Sequence, residues 1–185
     1  MRDEDFLRNR VPMTKSEVRA ISIDKLGLGN KRSFLDIGAG TGSVSVQAAH
    51  DFKKLAVTAI EMNPDGIDII KQNIKKFNLT NINLVTGTAP IDIPDQQYDA
   101  IFVGGSGANL DAIIDFSLAH LNASGSLVLN FILNENAMAA YQYLAAKPIT
   151  NLEMIQVAVS KWHGLGKGHY FKPQNPTMII SCQKN

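Results

Sequence analysis

The stretch FLDIGAGTGSVSV, residues 34–46, places three glycines at alternate positions between two largely apolar runs. The pattern predicts a strand, a loop at Gly38, Gly40 and Gly42, and a helix over 42–50. Glycine lets the backbone approach a ligand closely, and the first N–H groups of a helix have no partner within it. The stretch therefore predicts a ligand-binding loop at the carboxyl end of the first strand of an α/β fold.

The rest of the chain alternates strands with helices. Two late strands, at about 152–160 and 176–183, have only the long loop 161–175 between them, and we expect them to pair antiparallel at one edge. The pattern predicts a doubly wound, mostly parallel, seven-stranded Rossmann-like α/β sheet with an antiparallel edge strand. The other expected strands are 32–37, 54–61, 82–85, 98–103 and 126–133, and the expected helices are 14–26, 42–50, 64–78, 110–121 and about 135–146.

Thr14, followed three residues later by Glu17, forms a capping-box pattern at the start of the first expected helix. Gly27 and Gly29 end that helix.

Length and composition predict one domain. The chain has 185 residues, 45% of them hydrophobic, which suits a single core of ordinary size. We expect one domain over residues 1–185. It is divided into an N-terminal segment and helix at 1–30, an α/β core with the binding loop at 31–150, and C-terminal strands with a long loop at 151–185.

The charge and the cysteine content limit the possible partners and cofactors of the protein. The net charge of +1 predicts no nucleic-acid partner, and no apolar run is long enough to span a membrane. The single cysteine, Cys182, predicts neither a disulfide framework nor a cysteine-based metal site, and we expect it to be a core residue. The polar N-terminus lacks a signal-peptide pattern, so we expect a cytoplasmic protein. We also expect no metal cofactor.

Candidate ligand-binding residues follow four of the expected strands. Ligands of doubly wound sheets bind beyond the carboxyl ends of the strands. Asp36 and the glycine loop follow the first strand, and Glu61 ends the second, where a carboxylate can accept hydrogen bonds from both hydroxyls of a ribose. The next two strand ends contribute Thr88-Ala89 and Gly104-Gly105.

The spacing of the glycines discriminates between ligands. A dinucleotide site reads G-x-G-x-x-G, whereas Ser43 stands here where the third glycine is expected. Asp36 can brace the loop or attract the amino group of an amino-acid tail, which S-adenosylmethionine has and NAD lacks. The motif D36-I-G-A-G-T-G42, together with Glu61, resembles the first motifs of class I S-adenosylmethionine-dependent methyltransferases.

Three further segments make the resemblance specific to one family of methyltransferases. They are V11-P-M-T-K-S-E-V-R19, F102-V-G-G-S-G107 and G168-H-Y-F-K-P-Q-N-P-T177. Together with the glycine loop they resemble the decarboxylating precorrin carbon-15 methyltransferases of cobalamin biosynthesis, from about residue 3 to residue 180. The short chain resembles the separate enzymes of this family, not the fused type.

The resemblance implies an activity and a set of partners. The activity is methylation of carbon 15 of a precorrin or cobalt-precorrin, with loss of carbon dioxide from a ring acetate. The resemblance also implies a homo-oligomer, most simply a tetramer, and a carbon-5 precorrin methyltransferase as pathway partner. The resemblance and the strand-end positions together give the residues expected to bind S-adenosylmethionine, which are Thr14, Asp36, Gly38, Ala39, Gly40, Thr41, Gly42, Glu61, Thr88, Ala89 and Gly104.

Substrate residues are assigned by chemistry alone. Loss of carbon dioxide needs a proton donor near the macrocycle, for which His163 and His169 are candidates. The substrate's carboxylates call for cations around the site, for which we expect Lys167, Lys172 and Arg10. Arg8, Lys15, Arg19 and Lys161 belong to the same group of candidate cations.

Three other functions remain open at this stage. A class I methyltransferase acting on RNA or another small metabolite would share the cofactor residues. A non-catalytic S-adenosylmethionine-binding subunit would keep them without turnover. A nicotinamide-dependent dehydrogenase is disfavoured by Ser43 and by the lack of a second catalytic domain.

Overall fold

The computed structural model describes residues 1–107 and 109–185, and within them it has the predicted alternation of strands and helices. The helices are α1 Ser16–Leu26, α2 Ser43–Asp51, α3 Pro64–Lys76, α4 Leu110–His120 and α5 Asn134–Ala145. The strands are β1 Ser33–Ile37, β2 Ala56–Glu61, β3 Ile82–Thr86, β4 Tyr98–Val103, β5 Leu121–Phe131, β6 Ile149–Val157, β7 Ser160–Leu165, β8 Gly168–Pro173 and β9 Thr177–Lys184.

Seven of the strands form one sheet, in the order β3-β2-β1-β4-β5-β9-β6. Strands β1 to β5 pair in parallel, and β9 runs antiparallel to both of its neighbours, β5 and β6. The predicted mostly parallel seven-stranded sheet is confirmed, and its antiparallel strand is β9, one position in from the edge strand β6. The strand order reverses between β1 and β4, and such a switch point is where doubly wound sheets form a binding crevice.

Apolar residues cover both faces of the sheet. On one face, Leu35, Ile101 and Leu129 belong to a cluster that α4 and α5 complete. On the other, Phe34 and Phe102 belong to a cluster with residues of α1 and α2. Successive strand residues point to opposite faces, so helices on both sides require strands that are apolar throughout. Cys182 is 2% exposed in the first cluster, and burial raises the pKa of its thiol to about 12, which confirms a core role.

The predicted cap of α1 is wrong. The helix starts at Ser16 with Lys15 as its N-cap residue, and no side chain caps it. The Lys15 carbonyl accepts the first helical hydrogen bond, from the N–H of Arg19. Glu17 does not reach back to Thr14 but lies 2.9 Å from the ammonium of Lys161. The far end of the helix is as expected, with Gly27 in the left-handed conformation at φ 59°.

The segment predicted as the loop 161–175 is largely a β-hairpin. Strands β7 and β8 pair antiparallel, with Trp162 opposite Phe171 and His163 opposite Tyr170. The aromatic residues Trp162, Tyr170 and Phe171 favour strands, and Gly166 supplies the left-handed turn at φ 59°. The hairpin forms a separate two-stranded sheet, and most of its side chains are exposed.

Within residues 1–107 and 109–185, none of the helices is both long enough and apolar enough to cross a membrane.

Candidate active site

The glycine loop takes a conformation that glycine favours. Gly38, Gly40 and Gly42 have φ values of 71°, 55° and 73°. The N–H groups of Gly38 and Ala39 both donate to the Ile60 carbonyl, at 3.0 and 3.1 Å. These bonds anchor the loop to the end of β2, so that the loop between β1 and α2 lies beside Glu61.

Glu61 braces the same loop with its carboxylate. Oε2 accepts the N–H of Gly40 at 2.7 Å, and Oε1 accepts those of Met62 and Asn63 at 2.9 and 2.7 Å. The residue is 8% exposed. A carboxylate has about four acceptor positions, so these three bonds leave one on Oε2 for a ligand hydroxyl.

Asp36 is a buried carboxyl at the end of β1. Oδ2 accepts hydrogen bonds from the backbone N–H and the hydroxyl of Ser45, whereas the buried Oδ1 has no partner within the described residues. Burial raises the pKa of Asp36 to about 7, and the nearby charge of Glu61 also raises it, against the lowering effect of the bonds from Ser45. A group with this pKa changes charge near neutral pH.

Asp36→Asn is expected to remove a pH dependence of stability. The folded-state pKa of about 7 lies above the ordinary value of 3.8, so the native state binds the proton more tightly than the unfolded chain. The resulting stabilisation is complete below the unfolded pKa and is lost as the pH rises through the folded one.

Urea unfolding at pH 5 and pH 7.5 checks this prediction. The parent's free energy of unfolding should fall across that range by roughly 1–3 kcal/mol more than that of Asp36→Asn. Parallel pH profiles for the two proteins would contradict the assigned pKa.

A cavity of about 700 Å³ opens beyond the carboxyl ends of β1, β2, β3 and β4. Its volume is in the range of small-molecule sites. Nine of the eleven predicted cofactor-binding residues line it, namely Thr14, Asp36, Gly38, Ala39, Gly40, Glu61, Thr88, Ala89 and Gly104.

The other two predicted cofactor residues, Thr41 and Gly42, lie behind the wall of this cavity. A Cβ on Gly42 would come within 2.4 Å of Ile70 Cγ1, so glycine is required there by packing against α3. Thr41 is 1% exposed, and its buried Oγ1 has no partner among the described residues. We therefore interpret Thr41 and Gly42 as residues that pack the loop.

The loop after β3 is held by a carboxylate that the sequence analysis did not single out. The N–H of Thr88 donates to Asp92 Oδ2 at 2.8 Å. A Cβ on Gly87 would lie 2.6 Å from the same oxygen. Gly87 and Asp92 together hold Thr88 and Ala89 at the cavity wall.

The predicted substrate and proton-transfer residues lie outside this cavity. His163, His169, Lys167 and Lys172 are exposed on the β7–β8 hairpin, where the His169 ring stacks on Trp162 at 5.1 Å between centroids. Arg10 is exposed just before the lining residues Val11 and Pro12. Their roles toward the substrate remain predictions.

Polar residues that the sequence did not single out line the cavity on the side of β4, β5 and β9. They are amide side chains: Asn109 precedes α4, Asn130 lies in β5, and Gln174 and Asn175 precede β9. Of the lining residues within the described ranges, Lys15 carries the only cationic side chain. The segment G168–T177 contains Gln174 and Asn175, but the charge of the substrate favours its lysines over its amides as predicted contacts.

Comparison with known proteins identifies the family. A family model described as a precorrin methyltransferase domain matches residues 5–184. The chain is 46% identical over 185 residues to the cobalt-precorrin-6B C(15)-methyltransferase (decarboxylating) of Salmonella typhimurium, covering 100% of this chain and 96% of the relative.

Solved structures agree with this match. The precorrin-6y C5,15-methyltransferase from Geobacter metallireducens superposes with a TM-score of 0.90 at 35% identity, covering 98% of this chain and 95% of that one. The precorrin 8W decarboxylase from Methanobacterium thermoautotrophicum superposes with a TM-score of 0.89 at 28% identity, covering 98% of each chain. The fold is that of class I S-adenosylmethionine-dependent methyltransferases, and the chain belongs to the precorrin methyltransferase family.

Proposed function

We propose that this protein uses S-adenosylmethionine to methylate carbon 15 of cobalt-precorrin-6B, or of its cobalt-free counterpart, and removes carbon dioxide from the neighbouring ring acetate. The observation that carries the proposal is the composition of the cavity. One half is built from the glycine loop, Asp36 and Glu61, and the other half is apolar with amide side chains. The full-length similarity to decarboxylating C(15)-methyltransferases supports this choice of substrate.

The glycine-loop half suits S-adenosylmethionine. Asp36 Oδ1 is buried and without a partner among the described residues, as expected of a group that receives the cofactor's ammonium. Glu61 retains one acceptor position for a ribose hydroxyl, and we assign the cavity-lining residues Thr88 and Ala89 to packing against the adenine. Bound S-adenosylmethionine supplies an electrophilic methyl group on a sulfonium.

The opposite half suits a macrocycle with many acid side chains. The amides of Asn109, Gln174 and Asn175 can donate hydrogen bonds to carboxylates without a buried cation. Met62 and Ile132 line the cavity and are 66% and 61% exposed, so the rim offers apolar surface to a flat ring.

The residues of this site position the reactants and take little part in bond chemistry. The reacting carbon of a reduced tetrapyrrole is enamine-like and nucleophilic, so alignment with the methyl group can account for much of the rate enhancement. Loss of carbon dioxide leaves an electron pair on the macrocycle that must take up a proton. His163 and His169 stay our candidates for that step, with Lys167, Lys172 and Arg10 for the substrate's carboxylates.

The proposal extends to the whole chain. Residues 1–185 act as one cytoplasmic methyltransferase domain, in which 151–185 contributes to the substrate side. We expect a homo-oligomer, most simply a tetramer, and a carbon-5 precorrin methyltransferase as the enzyme that acts next to it in the pathway.

Turnover with mass detection tests the function. The purified protein is incubated with S-adenosylmethionine and cobalt-precorrin-6B, and in parallel with the cobalt-free substrate. We expect a product that has gained one methyl group and lost one carbon dioxide, from one of the two substrates at least. Binding of S-adenosylhomocysteine without turnover of either tetrapyrrole would contradict the substrate, and absence of binding would contradict the cofactor as well.

A further inference from the structure

The chain's N-terminal residues lie across the glycine loop. A Cβ on Gly40 would lie 3.2 Å from the Pro12 carbonyl oxygen and 3.4 Å from Val11 Cγ1. The Ser43 hydroxyl donates to the Thr14 carbonyl at 3.4 Å. Residues 11–15 also line the cavity, so this segment forms the wall that faces the loop. We call residues 1–15 the N-terminal strap.

Asn73 in α3 joins the strap to the glycine loop. Its Oδ1 accepts the N–H of Leu7 at 2.8 Å, and its Nδ2 donates to the Leu7 carbonyl at 3.1 Å. The same Nδ2 donates to the Thr41 carbonyl at 3.0 Å. Asn73 is fully buried. If its side chain were removed, each of these backbone groups would therefore lose a hydrogen-bond partner that water cannot easily replace.

Arg19 holds both ends of the strap. Its guanidinium donates to the carbonyls of Met1 and Thr14, at 2.8 and 2.6 Å, and to Gln47 Oε1 at 2.6 Å. It also lies 3.3 Å from Asp3 Oδ1. Arg19 is fully buried, so the earlier expectation that it is one of the cations available to substrate is wrong.

We propose that Asn73 is a positioning residue for cofactor binding, which couples the strap to the glycine loop so that both walls of the cofactor half are preformed. The inference rests on the proposed function, because it requires the cofactor to bind between the strap and the loop. Arg19 fixes the strap's ends. Its middle is held by Asn73, by Lys76 donating to the Asp5 carbonyl and by Asn9 donating to the Asp65 carbonyl. Of these bonds to the strap, only those of Asn73 continue to the glycine loop. Without Asn73, binding must also order the strap, and affinity falls by the cost of that ordering.

Asn73→Ala, paired with Asn81→Ala, tests the proposal. Asn81 is a matched control, since its Nδ2 also donates to backbone carbonyls, those of Ala49, Phe52 and Leu55. It precedes β3, at the end of the sheet away from the cavity. We expect both variants to lower Tm, but only Asn73→Ala to raise the Kd for S-adenosylhomocysteine tenfold or more, measured by calorimetry well below both Tm values.

Steady-state kinetics separates positioning from general damage. Asn73→Ala should raise KM for S-adenosylmethionine tenfold or more, while kcat at saturating cofactor stays within about threefold of the parent. Hydrogen exchange on the parent needs no variant, and S-adenosylhomocysteine should slow the exchange of amides in residues 1–15.

Each outcome decides the matter. Equal Kd values for the two asparagine variants, or unchanged exchange in the strap when the parent binds S-adenosylhomocysteine, would overturn the inference and leave the proposed function standing. No binding of S-adenosylhomocysteine to the parent would overturn the proposed function and the inference with it. If Asn73→Ala does not fold, Asn73→Ser and Asn81→Ser replace the two alanine variants in the same Kd comparison, and equal Kd values would again overturn the inference.

Discussion

Glu61→Ala is expected to weaken the binding of S-adenosylhomocysteine by about 100-fold, because one carboxylate serves both the loop and the ligand. The substitution leaves the N–H groups of Gly40, Met62 and Asn63 without their acceptor. It also removes the acceptor position proposed for the ribose. Hydrogen bonds to charged groups contribute roughly 1.5–3 kcal/mol each, so loss of the ribose bond and of loop order together reaches that factor.

Asp99→Ala is the matched control for this prediction. Asp99 Oδ2 accepts the N–H groups of Arg32 and Ser33 at 2.8 and 3.1 Å, and Oδ1 accepts a hydrogen bond from Asn122 at 2.7 Å. It lies near the start of β4, at the opposite end of the sheet from the cavity. Both variants lose a carboxylate with three donors, so their stabilities should fall together.

Calorimetric titration of the parent and the two variants provides the measurement. Only Glu61→Ala should lose affinity for S-adenosylhomocysteine. Glu61→Gln should fall between Glu61→Ala and the parent, since the amide keeps one acceptor oxygen and turns a donor toward the other N–H groups. Equal affinities for Glu61→Ala and Asp99→Ala would remove Glu61 from the cofactor site.

Gly38→Ala is expected to be the most destabilising of the glycine-loop substitutions. Gly38 has φ 71°, and a Cβ there would lie 2.6 Å from the carbonyl oxygen and 2.8 Å from the nitrogen of Gly105. Both atoms belong to the backbone that follows β4, so no side chain can rotate away. Left-handed strain and overpacking together should lower the free energy of unfolding by roughly 2–5 kcal/mol.

Gly27→Ala separates the two causes of that effect. Gly27 also has a positive φ, 59°, but a Cβ there would meet nothing within 4 Å. Its substitution should cost only the left-handed strain, about 1–2 kcal/mol. Urea unfolding of the parent and both variants measures the difference, and similar losses for Gly38→Ala and Gly27→Ala would show that the close approach to Gly105 is not limiting.

The sequence alone predicted those strands and helix ends that depend on residues close to one another along the chain. Tyr98–Val103 and the start of α3 at Pro64 were predicted to the residue, because apolar runs and proline act locally. Asp36 and Glu61 were predicted to share one crevice, since parallel strands bring their carboxyl ends to the same edge. Both residues line the cavity.

Contacts between segments that are distant in the sequence were seen only in the tertiary structure. Thr14 and Glu17 match a capping box, yet Glu17 pairs with Lys161, which is far along the chain. Arg19 reads as a surface cation in a sequence, yet it is fully buried because the backbone of residues 1–14 folds around its guanidinium. No local pattern records such partners.

The sequence by itself thus determined the sheet, the glycine loop and the two acidic residues beside it, because strand periodicity, glycine conformation and the alternation of strands with helices can be read along the chain. Only the tertiary structure decided that amides from β5 and from the segments before α4 and β9 line the cavity, and that Asn73 ties the N-terminal strap to the glycine loop. Leu7 and Thr41 meet at Asn73 although they lie 66 and 32 residues from it, and such pairings depend on how the whole chain packs.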